Sequence, residues 1–409
     1  MEIVRVLYVN THYNGGGAEK IARQLFYGIK DFGIETFFLS GRNRRSEPKN
    51  INYIYKSLIS RIPTYLIGKK TNGVINRTIY GKHKLIKFIK DNQIDIVHFH
   101  NMHGNYIGVN DLDEIKKVCP RIIITMHDMW LITGCCPHSM ECNLWKIPSK
   151  CEGCRGSAAL VKYVKKANQY LELKNRAFSD KNIEFVSPSA WLRNCALEGI
   201  FESENIRIIN NGVDTSKYKN LSKDEMRRKY GLPRDKKILL FVSHSMESPY
   251  KGFKLLEDAI SYLEDVEQYY LLILGHACDD FSIPIEKKCF GYIYDENALN
   301  EIYAAADLFI IPSIAENYPL VALESLASGT PVVCFRVGGL PEIVGDDVGS
   351  VVKNLDSISL AKKIEEICSD DKKLVEMSRK CREYAVNRLS IEKMFENYRK
   401  LYEEMMNKI

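Results

Sequence analysis

The sequence predicts an α/β protein of two doubly wound, parallel-sheet domains, and three observations predict it. Strand-length apolar runs alternate with helical patterns through the first half of the chain. The same grammar restarts after a turn signal at Asn210, Asn211 and Gly212. At 409 residues, finally, the chain exceeds one ordinary domain.

In the first half, residues 3–9 are apolar almost throughout, as a strand covered on both faces demands. A loop over residues 10–17 follows, and then Ala18, Ile21, Ala22, Leu25, Phe26 and Ile29 recur at helical spacing. Residues 34–39, IDIVHF at 94–99 and RIIIT at 121–125 read as further strands, and FVSPS around Val186 as another. In the second half the strands are KILLFVS (237–243), YLLILG (270–275), DLFIIPS (307–313) and TPVVCF (330–335). A helix is expected over 320–327, between the last two of these. The expected domains are 1–208 and 209–385, each doubly wound, with a crevice at the carboxyl ends of the sheets where such folds bind ligands. In the remainder, 386–409, Met394, Tyr398, Leu401, Tyr402 and Met405 keep helical spacing.

Apolar residues make up 45% of the chain, and three Trp, 23 Tyr and 16 Phe suffice for two cores. The first residues run straight into a strand pattern and no apolar run reaches membrane-spanning length, so a cytoplasmic protein is expected. The net charge of +6 is unevenly spread: residues 41–90 hold thirteen Lys or Arg against one acid, Glu47. Basic and apolar residues interleave there, which suits peripheral contact with an anionic membrane or a lipid-phosphate acceptor through residues 42–90. A solvated surface segment is the alternative. No recognition motif accompanies the charge, so no nucleic-acid partner is expected.

Gly15, Gly16 and Gly17 open the first helix, where free N–H groups and the positive end of the helix dipole suit an anion. Their pattern is neither a Walker loop nor G-x-G-x-x-G, and a tight strand-to-helix turn explains them equally well. Glu316 follows the strand DLFIIPS, and Glu324 lies about one turn into the next helix. Each carboxylate accepts two hydroxyl hydrogen bonds, which suits a ribose or sugar diol. The N–H groups of Leu320 and Val321 head that helix and suit a phosphate, while Pro319 has none to give. Lys251 follows KILLFVS and precedes Gly252, within reach of a leaving diphosphate. At about 4 Å and an effective dielectric near 20, such a contact is worth roughly 4 kcal/mol before desolvation.

AENYPLVALESLASGTPVV resembles the donor-site signature of the family-4 retaining glycosyltransferases of GT-B fold. YVNTHYNGGGAEKIA, VHFHN, TMHDMW, VSPSAWL, INNGVD, YKGF and IYAAADLFIIPS stand in the family's order, so the resemblance spans nearly the whole chain. It implies an acceptor-binding N-terminal domain, a donor-binding C-terminal domain and a last helix that crosses back to the first domain. It further implies that Glu316, with Asn317 beside it, holds the donor sugar's hydroxyls, that Glu324 holds the ribose and that Lys251 holds the diphosphate. Gly15, Gly16 and Gly17 would approach the diphosphate or the acceptor, His127 would line the reaction centre, and the backbone near Tyr292 would meet the base. One position departs from the family: Ser245 stands six residues before Lys251, where an Arg is common, with His244 beside it. Either His244 helps clamp the diphosphate or the clamp is weaker.

The implied reaction is transfer of a hexose or acetamido-hexose from a UDP- or GDP-sugar to a glycan or lipid-linked glycan, with retention, in surface polysaccharide assembly. The resemblance implies no protein nucleophile, and no metal is expected for catalysis, since no D-x-D motif appears at the end of a donor-domain strand. A nucleotide-sugar epimerase or hydrolase, or a silent sugar-nucleotide-binding scaffold, is the alternative.

His98, His100 and His103 cluster after a strand and His127 follows the next, which strand ends pointing into a crevice explain more simply than a metal. Twelve cysteines are many, and five fall between Cys135 and Cys154, in an insert over 129–156. In a reducing compartment the spacing of Cys136, Cys142, Cys151 and Cys154 suits structural zinc, with free thiols or a redox pair as alternatives. A similar insert marks the colanic-acid and capsule branch of the family.

Overall fold

The computed structural model describes residues 3–408 except 43–47, 49–50, 56–78, 141, 148–149, 152–165, 200–205, 277–280 and 282. Much of the basic segment 42–90, the Asp279–Asp280 pair and Cys154 therefore lie outside the described residues.

The chain divides into two compact units, Met1–Asn210 with Phe395–Ile409 and Asn211–Met394. The sheet of unit 1 contains β1 (Arg5–Asn10), β2 (Glu35–Arg42), β3 (Asn52–Tyr55), β4 (Ile96–Phe99), β5 (Ile122–Thr125), β6 (Ile183–Ser187) and β7 (Ile206–Ile208). Its strand order is β3-β2-β1-β4-β5-β6-β7, and every pairing is parallel. The order reverses between β1 and β4, which pair through Val9 and Phe99.

Unit 2 contains β8 (Lys237–Ser245), β9 (Tyr269–His276), β10 (Glu286–Cys289), β11 (Leu308–Ile311), β12 (Val332–Phe335) and β13 (Gly349–Val352). They are ordered β10-β9-β8-β11-β12-β13, again all parallel, and the reversal falls between β8 and β11. Both sheets are thus Rossmann-like, as the alternating pattern predicts.

The central strands are apolar because helices cover both faces: β4, β5, β11 and β12 are buried at every residue. The last helix, Ile391–Asn407, buries Met394, Tyr398, Leu401, Tyr402 and Met405, the residues whose spacing marks it as amphipathic. Its tyrosines are polar anchors as well. Tyr402 Oη lies 3.0 Å from Tyr8 Oη, and Tyr398 Oη lies 3.1 Å from Thr125 Oγ1, tying this helix to β1 and β5 of unit 1. Among the described residues no helix is long and apolar enough to cross a membrane.

Candidate functional site

Doubly wound sheets present ligands to the loops beyond their carboxyl ends, at the point where the strand order reverses. In unit 2 the loop after β8 carries Lys251 and the loop after β11 carries Glu316, so the two flank that point. Lys251 Nζ donates to Glu316 Oε1 at 2.6 Å, and Ser313 Oγ donates to the same oxygen at 3.0 Å. Glu316 is 8% exposed, so the lysine compensates a carboxylate largely withdrawn from water.

Glycine makes this approach possible. Gly252 has φ +67, and a Cβ there would lie 1.8 Å from Pro312 O. The two loops are then joined by Ile314 N–H donating to Tyr250 O at 2.9 Å. On the other side of Glu316, Gly338 has φ +55, and its Cβ would lie 1.7 Å from Glu316 O. Gly339 N–H donates to Asn317 O at 2.8 Å, which fixes the loop carrying Glu316 and Asn317.

Glu324 sits on the helix Leu320–Ala327 and is 6% exposed. Tyr303 Oη donates to its Oε2 at 3.3 Å, and the Tyr218 hydroxyl also bonds it. Burial, reinforced by this carboxylate, holds both phenols well above the usual tyrosine range, so they remain donors. Tyr218 lies outside the motifs read in the sequence, and Tyr303, although inside IYAAADLFIIPS, gains its role only from its contact with Glu324. Pro319 caps the helix and accepts from Ala322 N–H at 3.2 Å. Leu320 and Val321 therefore head the positive end of the helix dipole.

His244, near the end of β8, belongs to an aromatic group with His276 and Tyr292. Tyr292 stacks on His276 at 5.1 Å and 6°, and His244 meets both rings edge-on at 5.3 Å. Gly275 N–H donating to Gly291 O at 2.8 Å holds the loop of Tyr292 against the end of β9. His276 is the member of this group that sequence reasoning did not select.

In unit 1, Gly16 caps the helix Gly17–Gly28, as the glycine run suggests. The Glu19 side chain lies over Gly15, with its Cδ 2.9 Å from where a Cβ would stand. A carboxylate in the first turn satisfies the helix dipole, so an incoming anion would compete with Glu19.

His127 follows β5 and is half-buried, and its Nε2 lies 2.8 Å from His100 Nδ1. Burial lowers its pKa to about 4 and pushes that of His100 well below the usual range, so both rings are neutral near pH 7. Next to His127, burial works to raise the Asp128 pKa, but His103 and the Trp130 N–H outweigh it and keep the carboxylate ionised. His98 lies inside β4 rather than beyond it. It is wholly buried between Tyr402 Oη at 2.8 Å and Thr125 Oγ1 at 2.7 Å, a structural histidine and not one that points into a crevice.

The chain after His127 is held from below. Lys174 is fully buried, donates to the carbonyls of Trp130, Thr133 and Gly134, and lies 3.8 Å from the Trp130 ring centroid. Cys136, Cys142 and Cys151 line one small cavity with Thr133, Ser139, Leu144 and Trp145, while Cys135 packs in the core. The thiol donor set suits a soft metal, but among the described residues no three side chains stand close enough to ligate one.

A model described as Glycosyl transferases group 1 matches residues 222–388, and one described as Glycosyltransferase Family 4 matches residues 15–217. A protein of Escherichia coli K12 named as the colanic acid biosynthesis glycosyl transferase WcaC is 23% identical over 377 residues, covering 87% of this chain and 89% of that one. The sucrose-phosphate synthase of Thermosynechococcus elongatus superposes with a TM-score of 0.77 at 16% identity, covering 99% of this chain and 100% of that one. Alr3699/HepE of Anabaena, crystallised with UDP-glucose, superposes with a TM-score of 0.68 at 16% identity, covering 99% and 100%.

Proposed function

Because the chain belongs to the group 1, family 4 glycosyltransferases of GT-B fold, we propose that it moves a hexose or acetamido-hexose from a UDP- or GDP-sugar onto a glycan or lipid-linked glycan, with retention of configuration, in surface polysaccharide assembly. The observation that carries this reading is the pair of buried carboxylates, Glu316 and Glu324, with Lys251 at the reversal point of the second sheet. UDP-glucose bound to the Anabaena relative of the fold supports a nucleotide-sugar donor, and the colanic-acid name of the Escherichia coli relative supports the pathway class.

In this reading Lys251 neutralises Glu316 in the resting protein and the donor diphosphate in the complex. Negative charge grows on that diphosphate as the bond to the anomeric carbon breaks, so attraction from Lys251 and from the Leu320 and Val321 N–H groups strengthens in the transition state. Glu316 and Asn317 orient the sugar hydroxyls, Glu324 holds the ribose, and His244 and Tyr292 lie beside the diphosphate and base. His127 contacts the transferred sugar. The donor phosphate takes the acceptor's proton on the same face, so the step needs neither a protein nucleophile nor a divalent cation.

The test supplies labelled UDP- and GDP-sugars in EDTA, with and without membrane extracts as acceptor. Acceptor-dependent transfer with an unchanged anomeric configuration is expected. Sugar release without acceptor would replace the transferase reading by a hydrolase, and no turnover by a silent binding protein. On the spacing of Cys136, Cys142, Cys151 and Cys154 we also propose structural zinc in the insert, which would have to draw the three described thiols onto one centre; elemental analysis showing less than about a tenth of an equivalent would end that idea. Peripheral membrane contact through residues 42–90 is proposed on the interleaved basic and apolar residues and is checked by flotation with anionic vesicles.

A further inference from the structure

His100 and His127 are joined ring to ring, with centroids 5.1 Å apart and planes 20° apart. One proton lies in the bond between His100 Nδ1 and His127 Nε2, and the tautomer of each ring depends on which nitrogen carries it. His100 is placed rigidly. Its backbone N–H donates to Val9 O at 3.0 Å, and its ring lies 4.4 Å from that of His98, itself locked between Tyr402 and Thr125.

The other nitrogen of His100 decides the direction. His100 is 2% exposed, and its Nε2 is buried without a hydrogen-bond partner among the described residues. If His127 donated, the proton of neutral His100 would sit on that Nε2, stranding an N–H in a buried site. If His100 donates, only a lone pair is left unused there. Stranded buried N–H groups are the rarer and costlier of the two.

We propose that His100 is a positioning residue that donates from Nδ1 to His127 Nε2 and so fixes His127 as the tautomer protonated at Nδ1. His127 is then a hydrogen-bond donor from Nδ1 toward an oxygen of the sugar or acceptor, not a general base at that atom. This rests on the reading of His127 as a reaction-centre residue, and it agrees with a step in which the donor phosphate removes the acceptor's proton.

The test is two-bond 15N–1H NMR of protein labelled at its nine histidines, with the His127 signals assigned by their loss in His127→Gln. Wild type should show His127 protonated at Nδ1 at pH 7. In His100→Phe this preference should be lost, and in His100→Gln, whose amide can donate, it should return. Transfer should fall on the order of 10- to 100-fold in kcat with donor KM little changed for His100→Phe, and recover in part for His100→Gln. Protonation at Nε2 in wild type overturns the proposal, as does an unchanged tautomer in a folded His100→Phe. The wild-type spectrum alone decides if that variant does not fold. It needs no substrate, so failure of the tautomer assignment is separable from failure of the transferase reading.

Discussion

Lys251 and Glu316 stand 65 residues apart in sequence, yet Nζ and Oε1 are 2.6 Å apart across the reversal point of the second sheet. The pair fixes what each partner can do. A lysine already facing an anion is oriented for a diphosphate, and a carboxylate held by Lys251 and Ser313 is oriented as an acceptor for sugar hydroxyls. Lys251→Ala should lower kcat/KM by about 10²- to 10³-fold, whereas Glu316→Gln should chiefly raise donor KM. Steady-state kinetics on both variants checks this.

Gly252→Ala should disturb the same site without touching a reacting group. The new Cβ meets Pro312 O at 1.8 Å, and φ is +67, so the loop carrying Lys251 must shift. A destabilisation of about 1–3 kcal/mol is expected, or roughly 2–12 °C in the melting of a domain this size. Gly345→Ala, with nothing within 4 Å of the added carbon, is the control and should melt within about 1 °C of wild type.

Tyr303→Phe should weaken the hold on Glu324. The carboxylate keeps its Tyr218 bond but loses the 3.3 Å bond from Tyr303, which should cost about 1–2 kcal/mol of stability. Nucleotide affinity should fall several-fold, and calorimetric titration of the variant reads it.

Unit 1 should be acid-labile. Burial lowers the pKa of His98 to about 3, that of His127 to about 4, and that of His100 well below 6.5. Between pH 6.5 and about 4 the unfolded chain therefore binds protons that the native rings refuse, so stability is lost as pH falls through that window. Urea titrations at pH 7, 6 and 5 should show that loss, with up to about three protons taken up on unfolding. His98→Asn should reduce the uptake by about one.

Lys174→Met should loosen the chain just beyond His127. It leaves the carbonyls of Trp130, Thr133 and Gly134 without their shared donor in a buried site, at a cost of a few kcal/mol, about 2–4. Hydrogen exchange across residues 129–136 should quicken, and the melting midpoint should drop.

The sequence tells the interior of both sheets and little of their edges. Nine strands are legible as apolar runs because parallel strands covered on both faces can be little else. The four that are not legible, β3, β7, β10 and β13, are the four edge strands. They are three or four residues long, and Glu286–Cys289 reads EKKC, a polarity tolerated only where one side of the strand meets water. At the candidate site, Glu316, Glu324 and Lys251 are legible because a motif names them. Tyr218, Tyr303 and His276 are not, since each acquires its role from a neighbour distant in sequence. His98 shows the converse: a histidine at a strand's carboxyl end reads as functional, but Tyr402, 304 residues away, makes it structural.

The most direct measurement is a thermal-shift panel of UDP, GDP, ADP and their common sugars, in EDTA, on wild type and Glu324→Ala. A ligand that binds only the folded chain raises the midpoint by an amount set by RT ln(1 + [L]/Kd). A rise is expected with UDP- or GDP-linked ligands of a single base, largely lost in Glu324→Ala. No shift with any nucleotide, or an equal shift in the variant, would contradict the assignment of the second unit as the donor site.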